Sequence, residues 1–247
     1  MKNTEMFYDE VSAWYNDMVN YDEALKKRES ALRSFISTEM KTAADIGCGT
    51  GIDSIALSGL GLSITAFDIS SQMIKQAENK SIEKGVKINF IQCSADEIST
   101  VSYNGFEFIV SLGNTLANLN RTQLGKSINI MYDMLQGGGT LLLQVLNFTR
   151  ILNEQERIVN ITHRGDYYYT RFYDFLEDKI NFNILRFNAV NPSDRSIKTS
   201  VIYPYDYNYL TEVITSAGFS GIKLWGNINR AEFIPEKSTD LVIEAKK

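Results

Sequence analysis

The run Ala44-Asp45-Ile46-Gly47-Cys48-Gly49-Thr50-Gly51 constrains this chain more than any other stretch. An apolar, strand-like run enters it, three glycines alternate across it, and a helix-like run leaves it. Glycine takes φ > 0 without steric cost and lets a ligand approach the backbone closely. A strand, a glycine-rich turn and a helix N-terminus together make a nucleotide-binding corner. Further on, the apolar run Ile64-Thr65-Ala66-Phe67 ends in Asp68. A carboxylate about 20 residues past such a turn is placed to accept hydrogen bonds from ribose hydroxyls.

The spacing also selects among nucleotides. A dinucleotide fingerprint reads G-x-G-x-x-G, whereas Asp45 to Gly51 reads D-x-G-x-G-x-G. S-adenosylmethionine has no pyrophosphate to cradle, so a turn of this kind packs against its ribose and methionine portions. The competing reading is an ordinary tight turn with a satisfied Asp45.

At 247 residues the chain accommodates one large α/β domain with an insertion. A 44% hydrophobic content supplies a core. The net charge of −5, with no long basic run, argues against a nucleic-acid backbone as main partner. Cys48 and Cys93 lie far apart and form no ligand pattern, so no metal is expected. No apolar run reaches the roughly 20 residues of a membrane span, and no signal peptide is expected at the start. The expected location is the reducing cytoplasm.

Four parts follow from the pattern. Residues 1–40 form a helical cap, in which Phe7, Val11, Trp14 and Met18 make one stripe, with Tyr8 and Tyr15 beside it. A second helix, about Asp22 to Thr38, carries Leu25, Arg28, Leu32 and Phe35 on one face. An arginine there either snorkels or pairs within the protein, or meets an anion such as the carboxylate of a bound methionine moiety. Residues 41–150 form the core. Its strands fall at about Thr42–Ile46, Ser63–Phe67, Ile88–Cys93, Phe106–Leu112 and Thr140–Leu146, with helices between them. That alternation predicts a doubly wound, mostly parallel Rossmann-like sheet. Asp96, after the third strand, is placed to accept from an adenine amino group, to cap the following turn, or both.

Residues 151–204 change texture, with Tyr, Phe, Ile, Val and Thr in partial alternation and turns at Gly165-Asp166 and Asn191–Asp194. These read as inserted antiparallel strands, serving either as a lid and substrate wall or as a sheet for dimer contacts. Tyr167, Tyr168 and Tyr169 would alternate between its faces. His163 falls at a predicted hairpin and reads as solvent-facing. Residues 205–247 return to the core, with a helix capped by Asp206 and strands near Ile222–Trp225 and Leu241–Ala245.

On these residues the chain resembles the class I S-adenosylmethionine-dependent methyltransferases, and within them the glycine/sarcosine N-methyltransferase group. The carrying stretches are Asp45 to Met73, Leu112-Gly113-Asn114-Thr115-Leu116-Ala117-Asn118-Leu119, and Asn147-Phe148. The resemblance implies a seven-stranded sheet with the last strand antiparallel. It implies that Asp45, Gly47, Cys48, Gly49 and Gly51 line the cofactor, and that Asp68 holds the ribose beside Ile69 and Met73. Ala95, Asp96 and Glu97 would edge the adenine, and Leu112 and Asn118 would flank the cofactor. Asn114 would face the substrate as the catalytic residue. Tyr21 and Arg28 align with a tyrosine and an arginine that reach the methionine end.

Two positions depart from the group. Its substrate-carboxylate arginine is Leu146 here, and the histidine of its strand-four motif is Asn118. A leucine cannot replace a bidentate guanidinium. The expected reaction is therefore in-line methyl transfer to a small-molecule acceptor, with an amine first and a hydroxyl compound as the alternative. A base-modifying enzyme is a poorer fit, because the strand-four motif is Ser111-Leu112-Gly113-Asn114 rather than Asn/Asp-Pro-Pro-aromatic. A non-catalytic sensor of the cofactor or a partner-binding subunit is the reading from another class. The oligomeric state stays open, with homo-oligomers among related enzymes.

Overall fold

The computed structural model describes residues 2–247. Among them, seven strands build one sheet and four build another. The core strands are β1 (Thr42–Ile46), β2 (Ser63–Asp68), β3 (Asn89–Gln92), β4 (Phe106–Ser111), β5 (Leu135–Leu146), β10 (Ser220–Trp225) and β11 (Asp240–Lys246). Their order is β10-β11-β5-β4-β1-β2-β3. β1 to β5 pair in parallel, and β11 runs antiparallel to both β5 and β10. The order reverses between β1 and β4, and the crevice outside their carboxyl ends is the place where such sheets bind ligands.

The central strands are apolar on both faces because both faces are covered. Ala43, Phe108, Val110, Leu142 and Val242 pack to one side with helix α2 (Tyr21–Leu32) and helix α3 (Ile52–Gly59). Ala44, Ile109, Leu141, Leu143 and Ile243 pack to the other with α5 (Arg121–Met134) and α7 (Tyr207–Ser216). Asn120 starts α5 with a complete capping box: its side chain accepts from the Gln123 N–H, and the Gln123 side chain accepts from its N–H. Asp206 caps α7 by accepting from the Tyr209 N–H at 2.8 Å.

Helix α1 (Lys2–Val19) is held from two sides. The Asp9 carboxylate accepts from Ser70 Oγ at 2.6 Å and from the Gln72 N–H at 3.2 Å, tying α1 to the start of α4 (Ser71–Glu83). Phe7, Val11 and Met18 pack with Met73 and with Tyr169 and Ile184 of the second sheet. That sheet comprises β6 (Ile158–Arg164), β7 (Tyr167–Phe175), β8 (Ile180–Asn188) and β9 (Arg195–Ile202), antiparallel throughout. Tyr169 lies against Trp14 with ring centroids 5.5 Å apart, and Glu10 pairs with Lys198 at 3.0 Å. The inserted sheet is thus a clamp on α1.

Local differences from the sequence reading are small. The second helix ends at Leu32 and tightens into a 3₁₀ turn over Arg33–Phe35. A helix, α6 (Phe148–Glu154), follows β5 where none was expected. Its seven residues are too short to show a helical period. Among the described residues, no helix is long and apolar enough to cross a membrane.

Candidate active site

The glycine turn is built from two constraints. Gly47 has φ 77°, and a Cβ there would overlap the Thr115 side chain, so only glycine fits. Gly49 has φ 54° and nothing within 4 Å of where its Cβ would stand, so its backbone lies open. The turn is pinned from β2: the Gly47 and Cys48 N–H groups donate to the Phe67 carbonyl at 2.7 and 2.9 Å. Asp68 Oδ2 accepts from the Gly49 N–H at 2.8 Å, and Oδ1 accepts from the Ser70 N–H at 2.9 Å.

A cavity of about 910 Å³ opens on this turn. It is the size of a pocket for a cofactor plus a small partner. Arg28, Gly47, Cys48, Gly49 and Asp68 line it, and so do Ile69, Met73, Ala95, Leu112 and Asn118. The open Gly49 backbone, the Asp68 carboxylate on the wall and the cavity volume fit a nucleoside with a methionine tail.

Six expected residues do not reach the cavity wall. Asp45 is buried under the turn and accepts from Ser54 Oγ at 2.5 Å. Burial, with Asp53 adding to it, pushes its carboxyl up to about 8. Gly51 packs on Ala77 as the residue that opens α3. Asp96 accepts from Ser94 Oγ at 2.5 Å, and Glu97 is exposed. Tyr21 is buried beneath Lys80, whose Nζ stands 4.9 Å from the ring centroid. Asn114, expected to face the acceptor, has φ 69° and spends its Oδ1 on the Leu146 N–H at 3.0 Å. That bond joins the ends of β4 and β5.

Other side chains take those places. Tyr8 and Tyr15, seven residues apart on α1, both line the cavity. The Tyr8 hydroxyl donates to Asn118 Oδ1 at 3.4 Å. Burial pushes both phenols above their ordinary value, so they stay protonated donors. Arg28 Nε meets Asp53 Oδ1 at 2.7 Å on the wall, the paired alternative of the sequence reading. Burial raises the Asp53 carboxyl and the Arg28 charge opposes it. Gln144 and Asp240 also line it, from the end of β5 and the start of β11. The seven-residue spacing of Tyr8 and Tyr15 was readable from the sequence. Asp240 was not, because only the sheet order brings β11 beside β5.

None of the inserted-sheet residues lines the cavity. Tyr169 packs on Trp14, and Tyr168 is stacked between His163 and Phe187 at centroid distances of 4.4 and 5.3 Å. His163 is exposed and is not among the residues that line the cavity. Among the described residues, no three His, Cys, Asp or Glu side chains are grouped to hold a metal ion.

A Rossmann-like sheet with the last strand reversed and a glycine turn at its switch point is the fold this chain shares with solved S-adenosylmethionine-dependent methyltransferases. Residues 43–139 match the family model described as a methyltransferase domain. The carboxy-S-adenosyl-L-methionine synthase of Nautilia profundicola is 27% identical over 241 residues, covering 94% of each chain. The glycine N-methyltransferase of Homo sapiens is 28% identical over 124 residues, 44% of this chain and 42% of that one. Among solved structures, the CcbJ methyltransferase of Streptomyces caelestis superposes with a TM-score of 0.80 at 15% identity, covering 97% of both chains. Residues 43–139 thus resemble a methyltransferase domain, in a chain that shares its fold with S-adenosylmethionine-dependent methyltransferases.

Proposed function

We propose that the protein transfers the methyl group to the nitrogen of a small amine, with the cofactor seated on the glycine turn. The observation that carries this reading is the make-up of the cavity: it holds protonated phenols and hydrogen-bonding amides, its lining includes no histidine, and its Asp53 and Asp68 carboxylates are engaged by Arg28 and by backbone N–H groups. When bound, S-adenosylmethionine supplies a sulfonium methyl that is already activated. Alignment and exclusion of water are then the protein's tasks. Asp68 and the Gly49 backbone would hold the ribose. Arg28, now paired with Asp53, would turn one face to the methionine carboxylate. Tyr8 and Tyr15, clamped by the inserted sheet through α1, would close the cavity against solvent.

An amine brings its own lone pair as the free base. A hydroxyl acceptor needs a base to remove its proton; Tyr8 and Tyr15 are shifted the wrong way for that, and a carboxylate is about six pK units too weak a base for a phenol. The likeness to a glycine N-methyltransferase supports nitrogen as acceptor. Leu146, where that group carries its carboxylate clamp, speaks against glycine itself. A labelled-methyl transfer screen over small amines, amino acids and phenols tests this. Label on amines is expected. Label on phenols alone refutes the reading.

A further inference from the structure

We infer that Asp240 is the specificity-determining residue that selects a nitrogen acceptor. This rests on the amine reading above and names the group that enforces it. Asp240 opens β11 at the carboxyl edge of the sheet, opposite Leu146 of β5, and lines the same cavity as Gly47 and Asp68. Its Oδ1 accepts from Gln144 Nε2 at 2.8 Å. Gln144 Oε1 in turn accepts from the Gly113 N–H at 2.9 Å. A backbone N–H can only donate, so this bond fixes which end of the Gln144 amide faces Asp240. The carboxylate is thereby held in one orientation beside the loop that leaves β4.

Its remaining capacity is uncommitted. Asp240 Oδ2 receives only the Thr239 hydroxyl, at 3.3 Å. Among the described residues, no lysine or arginine pairs with it: Arg230 meets Glu244 at 3.4 Å and Arg28 meets Asp53 at 2.7 Å. An ionised carboxylate accepts and does not donate, with about four lone-pair sites on two oxygens. The cavity's other carboxylates are engaged, Asp53 by Arg28 and Asp68 by the Gly49 and Ser70 N–H groups, so Asp240 is the one matched to a ligand with N–H donors or positive charge.

The reaction uses that match. The neutral amine donates one N–H to Asp240, which aims its lone pair toward the cofactor. The lone pair forms the new N–C bond while the electron pair of the C–S bond goes to sulfur. The positive charge passes from sulfur to nitrogen, and no proton moves in this step. A fixed carboxylate beside the nitrogen stabilises that developing charge. The methylated ammonium later loses its proton to water. A phenolate in the same place would meet like charge and be disfavoured.

Asp240→Asn keeps the shape and the Gln144 hydrogen bond while removing the charge. The probes are ethanolamine, benzylamine and phenol, assayed for label transfer, and by calorimetry with S-adenosylhomocysteine present. The wild-type protein is expected to bind and methylate an amine probe. In Asp240→Asn, amine affinity and kcat/KM should both fall roughly ten- to hundredfold, the scale of a lost charge-assisted hydrogen bond. Affinity for S-adenosylhomocysteine should stay within about twofold, and Asp240→Glu should recover part of the loss. Equal amine binding and turnover in Asp240→Asn overturns the role of Asp240 and leaves the amine reading standing. Label on phenol alone overturns both. Neither heat nor label with either amine in the wild-type protein overturns the inference.

Discussion

Asp68 is the residue on which the cavity turns. Burial pushes its carboxyl up to about 6, while the N–H groups of Ser70 and Gly49 pull it down. On the reading that Asp68 holds the ribose, the hydroxyls donate to it, and the ionised carboxylate is the stronger acceptor. Affinity for S-adenosylhomocysteine is therefore expected to be flat above pH 6 and to fall as the pH drops through that value, toward tenfold per unit. Asp68→Asn should bind weakly with no such dependence. Titrations from pH 5 to 8 decide it, and a wild-type affinity that holds steady to pH 5 removes Asp68 from cofactor binding. At the same scale, a glycine or an acid was legible where its neighbours in sequence fix its surroundings. Gly47, Gly49 and Asp68 sit where strand, turn and helix meet in one continuous stretch, and all three line the cavity. Asn114 belongs to an equally recognisable stretch, yet its Oδ1 is claimed by the Leu146 N–H, from a residue 32 positions away. No local pattern announces such a bond.

Among the elements, α1 depends on borrowed contacts. Its first attachment is the Asp9 carboxylate at the start of α4, where it satisfies Ser70 Oγ and the Gln72 N–H. An acidic side chain at a helix N-terminus both pairs free N–H groups and complements the helix dipole. Asp9→Ala should cost about 0.5–2 kcal/mol of stability, the range for losing a capping side chain. It should also speed release of S-adenosylhomocysteine, because Tyr8 and Tyr15 ride on the same helix. Denaturant melts and stopped-flow release measure the two effects, and unchanged values for both would dismiss the attachment. Elements with a sustained helical period or an unbroken apolar run were legible, as with β1, β4 and α5. A helix of two turns or a tightened helix end was not: α6 has seven residues, too few for a helical period, and the end of the second helix closes as 3₁₀.

For the whole molecule, the parallel sheet followed from alternation of strands and helices, but the task of the inserted strands did not. Their aromatic residues read equally well as a lid, a substrate wall or a dimer sheet. Tyr169 meets Trp14 across 155 positions of sequence, so its purpose is visible only once the chain is folded. The result is a layered arrangement in which the outer sheet presses α1 down, and α1 in turn roofs the crevice between β1 and β4. Gln144 and Asp240 come to that crevice by the same route, through pairing of β5 with β11. Calorimetric titration of S-adenosylhomocysteine into the purified protein at neutral pH probes this arrangement most directly. One molecule per chain should bind, with affinity reduced at least about tenfold in Asp68→Ala, as for loss of charge-assisted hydrogen bonds. Absence of heat, or full affinity in the Asp68→Ala variant, refutes the assignment of the cavity.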